Sequence, residues 1–122
     1  MSRKAVEIFS DATERSLTSD QSGSVIFIDL TSNDVTLNLP PPEAGLCFEF
    51  VITNATNNFI IKSVNSSYTL TSLMHFGQHQ DAIGNTLTIT APTISDRILL
   101  DCNGTNWYGS IICKTIGDYI LT

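Results

Sequence analysis

The sequence predicts an all-β domain: an antiparallel β-sandwich, or a jelly-roll- or barrel-like domain, of about eight or nine strands with an extended N-terminal arm. Three observations predict it. First, apolar and polar residues alternate, as in Val35-Thr36-Leu37-Asn38-Leu39 and Thr86-Leu87-Thr88-Ile89-Thr90. That period of two puts one face of a strand in a core. Second, two stretches read as strand, sharp turn and strand: residues 37–52, broken at Pro40-Pro41-Pro42 and Gly45, and residues 98–108, broken at Asn103-Gly104. Third, the short apolar runs recur at fairly regular spacing, with no strand-helix alternation of the kind a parallel α/β sheet needs.

Residues 1–22 read as the arm and residues 23–122 as the β domain. Ala5-Val6-Glu7-Ile8-Phe9 has room for one short strand. Residues 11–23 are polar, with Leu17 their one large apolar side chain. They fit a long loop or, with Asp11 as cap, a short helix over residues 11–17. Val25-Ile26-Phe27-Ile28-Asp29-Leu30 is apolar on both faces, which suits a central strand or one that meets a partner subunit. Pro40 ends the next strand, because proline cannot donate to a ladder. In the strand that follows, Phe48, Phe50 and Ile52 face one way and Cys47, Glu49 and Val51 the other. Further strands fall at residues 59–64, 68–73, 86–90 and 119–122, and residues 74–85 are the least regular stretch. Asn103-Gly104 fits a two-residue type I′ turn, since both residues tolerate positive φ. That register places Leu100 opposite Trp107 and Ile98 opposite Gly109. Ile98, Leu100, Trp107 and Ile111 then share a core face, and Leu99, Asp101, Tyr108, Ser110 and Ile112 share a mixed one.

At 122 residues the chain is one domain, able to bury about two-thirds of its unfolded surface. Charged residues make up only 15%, against an average of about 25%. A surface so poor in charge suits a protein covered by partners. The net charge of −6 argues against nucleic acid as a partner, because phosphate binding needs clustered Lys and Arg. No apolar run approaches the ~18 residues of a membrane-spanning helix, and no secretion signal stands behind Met1. Neither a membrane nor an oxidising compartment is expected. Three cysteines, Cys47, Cys102 and Cys113, are an odd count that does not make a disulfide framework. The Asn-x-Ser/Thr triplets at Asn54, Asn65 and Asn103 read as polar loop residues.

No residue set announces chemistry. His75 and His79 sit four apart with Asp81 nearby, but Gly77 weakens a helix there and no third strong metal ligand follows at helical spacing. There is no G-x-S-x-G elbow and no glycine-rich phosphate loop. Glu49 lies inside an apolar strand, where alternation of faces accounts for it. Trp107 and Tyr108 are adjacent on a strand and point to opposite faces, so they cannot form one sugar-stacking platform. No cofactor, no metal and no catalytic residue is expected.

The order of the signals carries a resemblance. Leu39-Pro40 closes an alternating strand. Ala44-Gly45-Leu46 opens Phe48-Glu49-Phe50-Val51-Ile52. Asp101-Cys102-Asn103-Gly104-Thr105-Asn106-Trp107 comes late. This resembles a module of bacteriophage virion structural proteins, among them capsid decoration (cement) proteins, head fibres and tail-associated proteins. In that module a strand ending in Leu-Pro, a Gly-led aromatic strand and a late Asp-Gly-Thr-x-Trp hairpin recur. The likeness covers residues 17–113. Cys102-Asn103-Gly104 stands where Ser-Asp-Gly or Cys-Asp-Gly is common, a swap that keeps the turn.

The resemblance implies a virion component made in the host cytoplasm and carried on the capsid surface, not an enzyme. A chain little longer than the module fits a cement protein, bound across adjacent major capsid protein subunits as a homotrimer. On that reading Arg3, Lys4, Val6, Ile8 and Phe9 of the arm contact the capsid, and Ile26, Ile28, Leu99, Tyr108 and Ile112 are subunit contacts. Two alternatives stand beside it. One is a head- or tail-fibre component that binds host surface glycans through Tyr108 or Tyr68. The other is an unrelated carbohydrate-binding β-sandwich. An enzyme site assembled between subunits would call on His75, His79 or Glu49.

Overall fold

The computed structural model describes residues 7–9, 14–63, 70–75, 78–80, 85–90, 92–112 and 119–121, with side chains over 14–63, 85–90 and 92–112. In its first half the chain winds back and forth between two sheets. Strands β1 (Glu7–Phe9), β3 (Val25–Asp29) and β5 (Cys47–Asn54) lie side by side in one sheet. Strands β2 (Glu14–Ser16), β4 (Val35–Asn38) and β6 (Phe59–Lys62) lie side by side in the other. Every neighbour within the two triplets is parallel. Val25 lies opposite Glu49 and Val35 opposite Phe59, each 24 positions later in the chain. The result is a two-sided coil, the winding used by β-solenoids.

The second half is wound differently. Strands β7 (Leu70–His75), β8 (Gln78–Gln80), β10 (Arg97–Cys102) and β11 (Trp107–Ile112) complete a seven-stranded sheet of order β1-β3-β5-β10-β11-β7-β8. Strands β9 (Thr86–Ile89) and β12 (Tyr119–Leu121) complete a five-stranded sheet of order β12-β9-β6-β4-β2. The expected antiparallel sandwich is therefore corrected. The protein is mostly β, but both sheets are mixed, and five of the ten strand pairings among the described residues are parallel. The physical reason lies in the corners. A turn signal between two strands serves equally for a hairpin or for a corner that carries the chain to the opposite sheet.

Backbone groups at those corners are satisfied by the next coil, as buried polar groups must be. Leu30 N donates to Asn54 O, Asn57 N to Leu30 O, and Val35 N to Asn58 O, all at 3.0–3.1 Å. Asn57 Nδ2 donates to Leu30 O at 2.7 Å, and Asn58 N donates to Asp34 Oδ1 at 2.8 Å. Asp29 opens the corner: its Oδ1 accepts from Thr31 Oγ1 at 2.6 Å and from Thr31 N at 3.0 Å. The Thr31 hydroxyl bond foremost holds that carboxyl below its ordinary range.

One apolar core fills the space between the sheets. Ile26, Ile28, Phe48, Phe50, Ile52, Ile98, Leu100, Trp107 and Ile111 supply it from the larger sheet. Val35, Leu37, Phe59, Ile61, Leu87 and Ile89 supply it from the smaller. The ring of Phe50 meets that of Phe59 edge-on across the layers, centroids 5.5 Å apart. Every one of these positions alternates with an outward one, as the pleat requires.

Three local expectations change. The hairpin between β10 and β11 pairs Cys102 with Trp107, Leu100 with Gly109 and Ile98 with Ile111, two residues out of the expected register. Asn103 Oδ1 accepts from Thr105 N at 3.0 Å and from Asn106 N at 2.9 Å, which builds a four-residue loop. Only Gly104 in it has positive φ, at 108°, whereas a type I′ turn needs two such residues. A slip of two preserves faces, so the expected core and mixed faces both hold. Next, Glu14–Ser16 is strand rather than helix, and the one helical turn among the described residues falls at Ser19–Gln21. Finally, residues 1–22 supply β1 and β2, and Leu17 is buried in the common core at 3% exposure. Strands β2 and β8 (Gln78–Gln80) lie in stretches that lacked a strand signal.

Two substitutions test this packing. Trp107→Ala is expected to cost ~3–5 kcal/mol in urea unfolding, as loss of a fully buried aromatic does. Leu17→Ala is expected to cost ~2–5 kcal/mol. A change near zero at Leu17 would mean that residues 14–17 do not belong to the cooperative fold.

Candidate interaction face

The outward side of the seven-stranded sheet is the candidate site. Pairing registers lay its residues out in rows across the strands. Phe27, Val51, Arg97 and Ile112 form one row. Val25, Glu49, Leu99 and Ser110 form the next. Cys47, Asp101 and Tyr108 form the third. Position 8 of β1 joins the first row beside Phe27. The smaller sheet turns Thr36, Asn38, Ile60, Lys62, Thr86 and Thr88 outward, one apolar residue among six. Among the described side chains, apolar residues are thus more numerous on the outer surface of the larger sheet.

Ile112 is 56% exposed and Tyr108 40% exposed, while Phe27 and Leu99 are half-buried. At the turn before β10, Ile94 stands 61% exposed. In the centre of the face Arg97 Nη1 donates to Glu49 Oε2 at 2.5 Å. The Glu49 side chain is 11% exposed and that of Arg97 43%. A carboxylate this buried is costly without its cation, so the pair is what permits Glu49 at this position. Asp101 is exposed at the edge of the apolar rows.

The sequence-derived residues divide clearly. Leu99, Tyr108 and Ile112 lie together on this face. Ile26 and Ile28 do not: both are fully buried in the core, and the expectation of subunit contact there is corrected. Their strand is apolar on both sides, and alternation sends 26 and 28 inward and 25 and 27 outward. The same alternation was the available signal for Val25, Phe27, Val51 and Arg97. Ile8 and Phe9 fall within β1, their side chains outside the described residues, as are Arg3, Lys4 and Val6 entirely.

Other expected positions resolve as follows. The β7–β8 register pairs His75 with Gln78 and Met74 with His79, so positions 75 and 79 fall on opposite faces of that strand pair. A spacing of four therefore does not bring the two positions to one face. Among the described residues no group of three or more His, Cys, Asp or Glu is placed to hold a metal ion. Cys47 and Cys102 are free thiols, and Cys113 lies outside the described residues, as does Tyr68. Trp107 is in the core against Phe48, ring centroids 6.0 Å apart. Its Nε1 is buried without a hydrogen-bond partner among the described residues. Among the described residues no helix is long and apolar enough to cross a membrane. No family model, curated protein or solved structure matches the chain.

The ion pair is testable by a double-mutant cycle. Arg97→Met is expected to cost ~1–2 kcal/mol at neutral pH, discounted for the exposure of the guanidinium. Adding Glu49→Gln is expected to recover most of that loss. If the two substitutions are strictly additive in urea unfolding, the pair contributes nothing.

Proposed function

We propose that this chain is a viral structural protein that decorates and stabilises a capsid, binding across adjacent major capsid protein subunits as a homotrimer. The observation that carries the contact surface is the outward face of the seven-stranded sheet. There Tyr108 and Ile112 stand exposed beside Phe27, Val51 and Leu99. Exposed apolar patches on soluble proteins mark interaction sites. The capsid, the trimer and the non-enzymatic role rest on the resemblance of residues 17–113 to virion modules. Among the described residues Tyr108 is the one exposed aromatic on this face, which gives the glycan-binding alternative less support than the contact reading.

Quantitative mass spectrometry of purified virus particles tests the role. Copy number in simple ratio to the major shell protein, in the hundreds, is the expected result. A handful of copies would point to a fibre or tail vertex, and absence would end the virion reading. The face is tested by Ile112→Glu. At 56% exposure this change is expected to alter folding stability by less than ~0.5 kcal/mol while particle occupancy falls sharply. Unchanged occupancy would place the contact elsewhere.

A further inference from the structure

The outward face is not flat. Between its second and third rows lies a depression of about 200 Å³. Its walls are Val25, Cys47, Glu49, Leu99 and Asp101. Val25 and Leu99 flank Glu49 on either side, and Asp101 stands diagonally across β5 and β10 from Glu49. Pockets for drug-sized ligands measure roughly 300–1,000 Å³. This one is smaller and suits a single side chain rather than a sugar chain or a cofactor.

Its chemistry selects which side chain. Val25 and Leu99 offer apolar walls for an alkyl stem. Glu49 is already engaged by Arg97. Asp101 is exposed and makes no ion pair with any described residue. Among the described residues the three ionisable groups Glu49, Arg97 and Asp101 leave one net negative charge at the mouth of this hole. Lysine and arginine bury a hydrocarbon stem while holding a charged head at the surface, and arginine is enriched among the side chains that anchor interfaces. The chain's net charge of −6 attracts a basic partner from a distance.

Resting on the contact role proposed above, we infer that this depression is a socket for one basic side chain of the partner protein. The stem lies against Val25 and Leu99 and the cationic head meets Asp101. It is the anchoring point of the face, and it makes the partner surface one that projects a lysine or arginine.

Methyl NMR on the intact chain tests the socket without any particle. Titration with N-acetyl-arginine amide is expected to shift the Val25 and Leu99 methyl signals saturably. The uncharged N-acetyl-norleucine amide is expected to leave them nearly unmoved. Asp101→Asn is expected to weaken the arginine response about fivefold, the equivalent of ~1 kcal/mol. Equal response to both amides, no saturable response, or an unchanged response in Asp101→Asn would each overturn the proposal. So would methyl shifts that track protein concentration alone, which would make the occupant a second copy of the chain. Particle occupancy separates this from the capsid role. Wild-type protein abundant on particles with a failed titration removes the socket alone. A successful titration with protein absent from particles removes the capsid role alone.

Discussion

The pairing of β5 with β10 is the contact on which the rest of the structure depends. On one side β5 continues a parallel coil through β3. On the other it accepts β10 in antiparallel register, with Phe50 opposite Ile98 and Phe48 opposite Leu100. Each residue in those pairs is in the core. The turns at the same end lock together. Gly45 N donates to Cys102 O at 3.0 Å, and Cys102 N donates to Leu46 O at 2.9 Å. A Cβ on Gly104 would sit 3.6 Å from the Ala44 Cβ. The Ala44-Gly45-Leu46 and Cys102-Asn103-Gly104 turns, far apart in the chain, are therefore neighbours in space. Without this seam the larger sheet would fall into β1-β3-β5 and β10-β11-β7-β8, joined among the described residues only through the β6–β9 pairing of the other sheet.

The fold was legible residue by residue but not strand by strand. Alternation identified the inward set of β5, β10 and β11 correctly, because burial of Phe48, Phe50, Ile98, Leu100 and Trp107 is a property of each strand alone. Direction was not legible. The stretch Leu30-Thr31-Ser32-Asn33-Asp34 carries the same polar turn chemistry that a hairpin would, yet it leads to the opposite sheet. Only its hydrogen bonds to residues 54–58 reveal a corner, and those bonds join positions far apart in sequence. Glu14–Ser16 was hidden for a related reason. Three residues with exposed side chains show no periodicity, and that strand exists through its pairing with β4. The candidate face was half legible. Leu99, Tyr108 and Ile112 follow from alternation in one hairpin, whereas Ile26 and Ile28 were placed outward because a doubly apolar strand does not say which side is the core.

The two outer surfaces show how one core can serve two different ends. Both sheets bury the same kind of inward residue. They differ in what alternates with it: threonine, asparagine, lysine and one isoleucine on one, and on the other valine, phenylalanine, leucine, tyrosine and isoleucine interspersed with Glu49, Arg97, Asp101 and Ser110. Stability does not require the second choice, since a solvated outer face is usually polar. Placing an arginine–glutamate pair amid the apolar rows limits nonspecific sticking, as charges on exposed β surfaces do. The surface therefore combines apolar area with a fixed charge pattern, which is what distinguishes a specific contact from a merely adhesive one.

The bonded corners have a further consequence for how such a chain can change over generations. The second circuit of the coil advances 24 residues in both sheets, and there residues 30–34 and 54–58 are held against each other by hydrogen bonds. Gaining or losing one residue in either corner alone would break those bonds and rotate the next strand's side chains to the wrong face. Length can therefore drift only in concert, an insertion in one corner answered by an insertion in the other. Substitution remains free at the exposed positions Ser32 and Thr56. The lineage of this protein should thus be conservative in spacing and permissive in letters, so that distance between residues outlasts their identity.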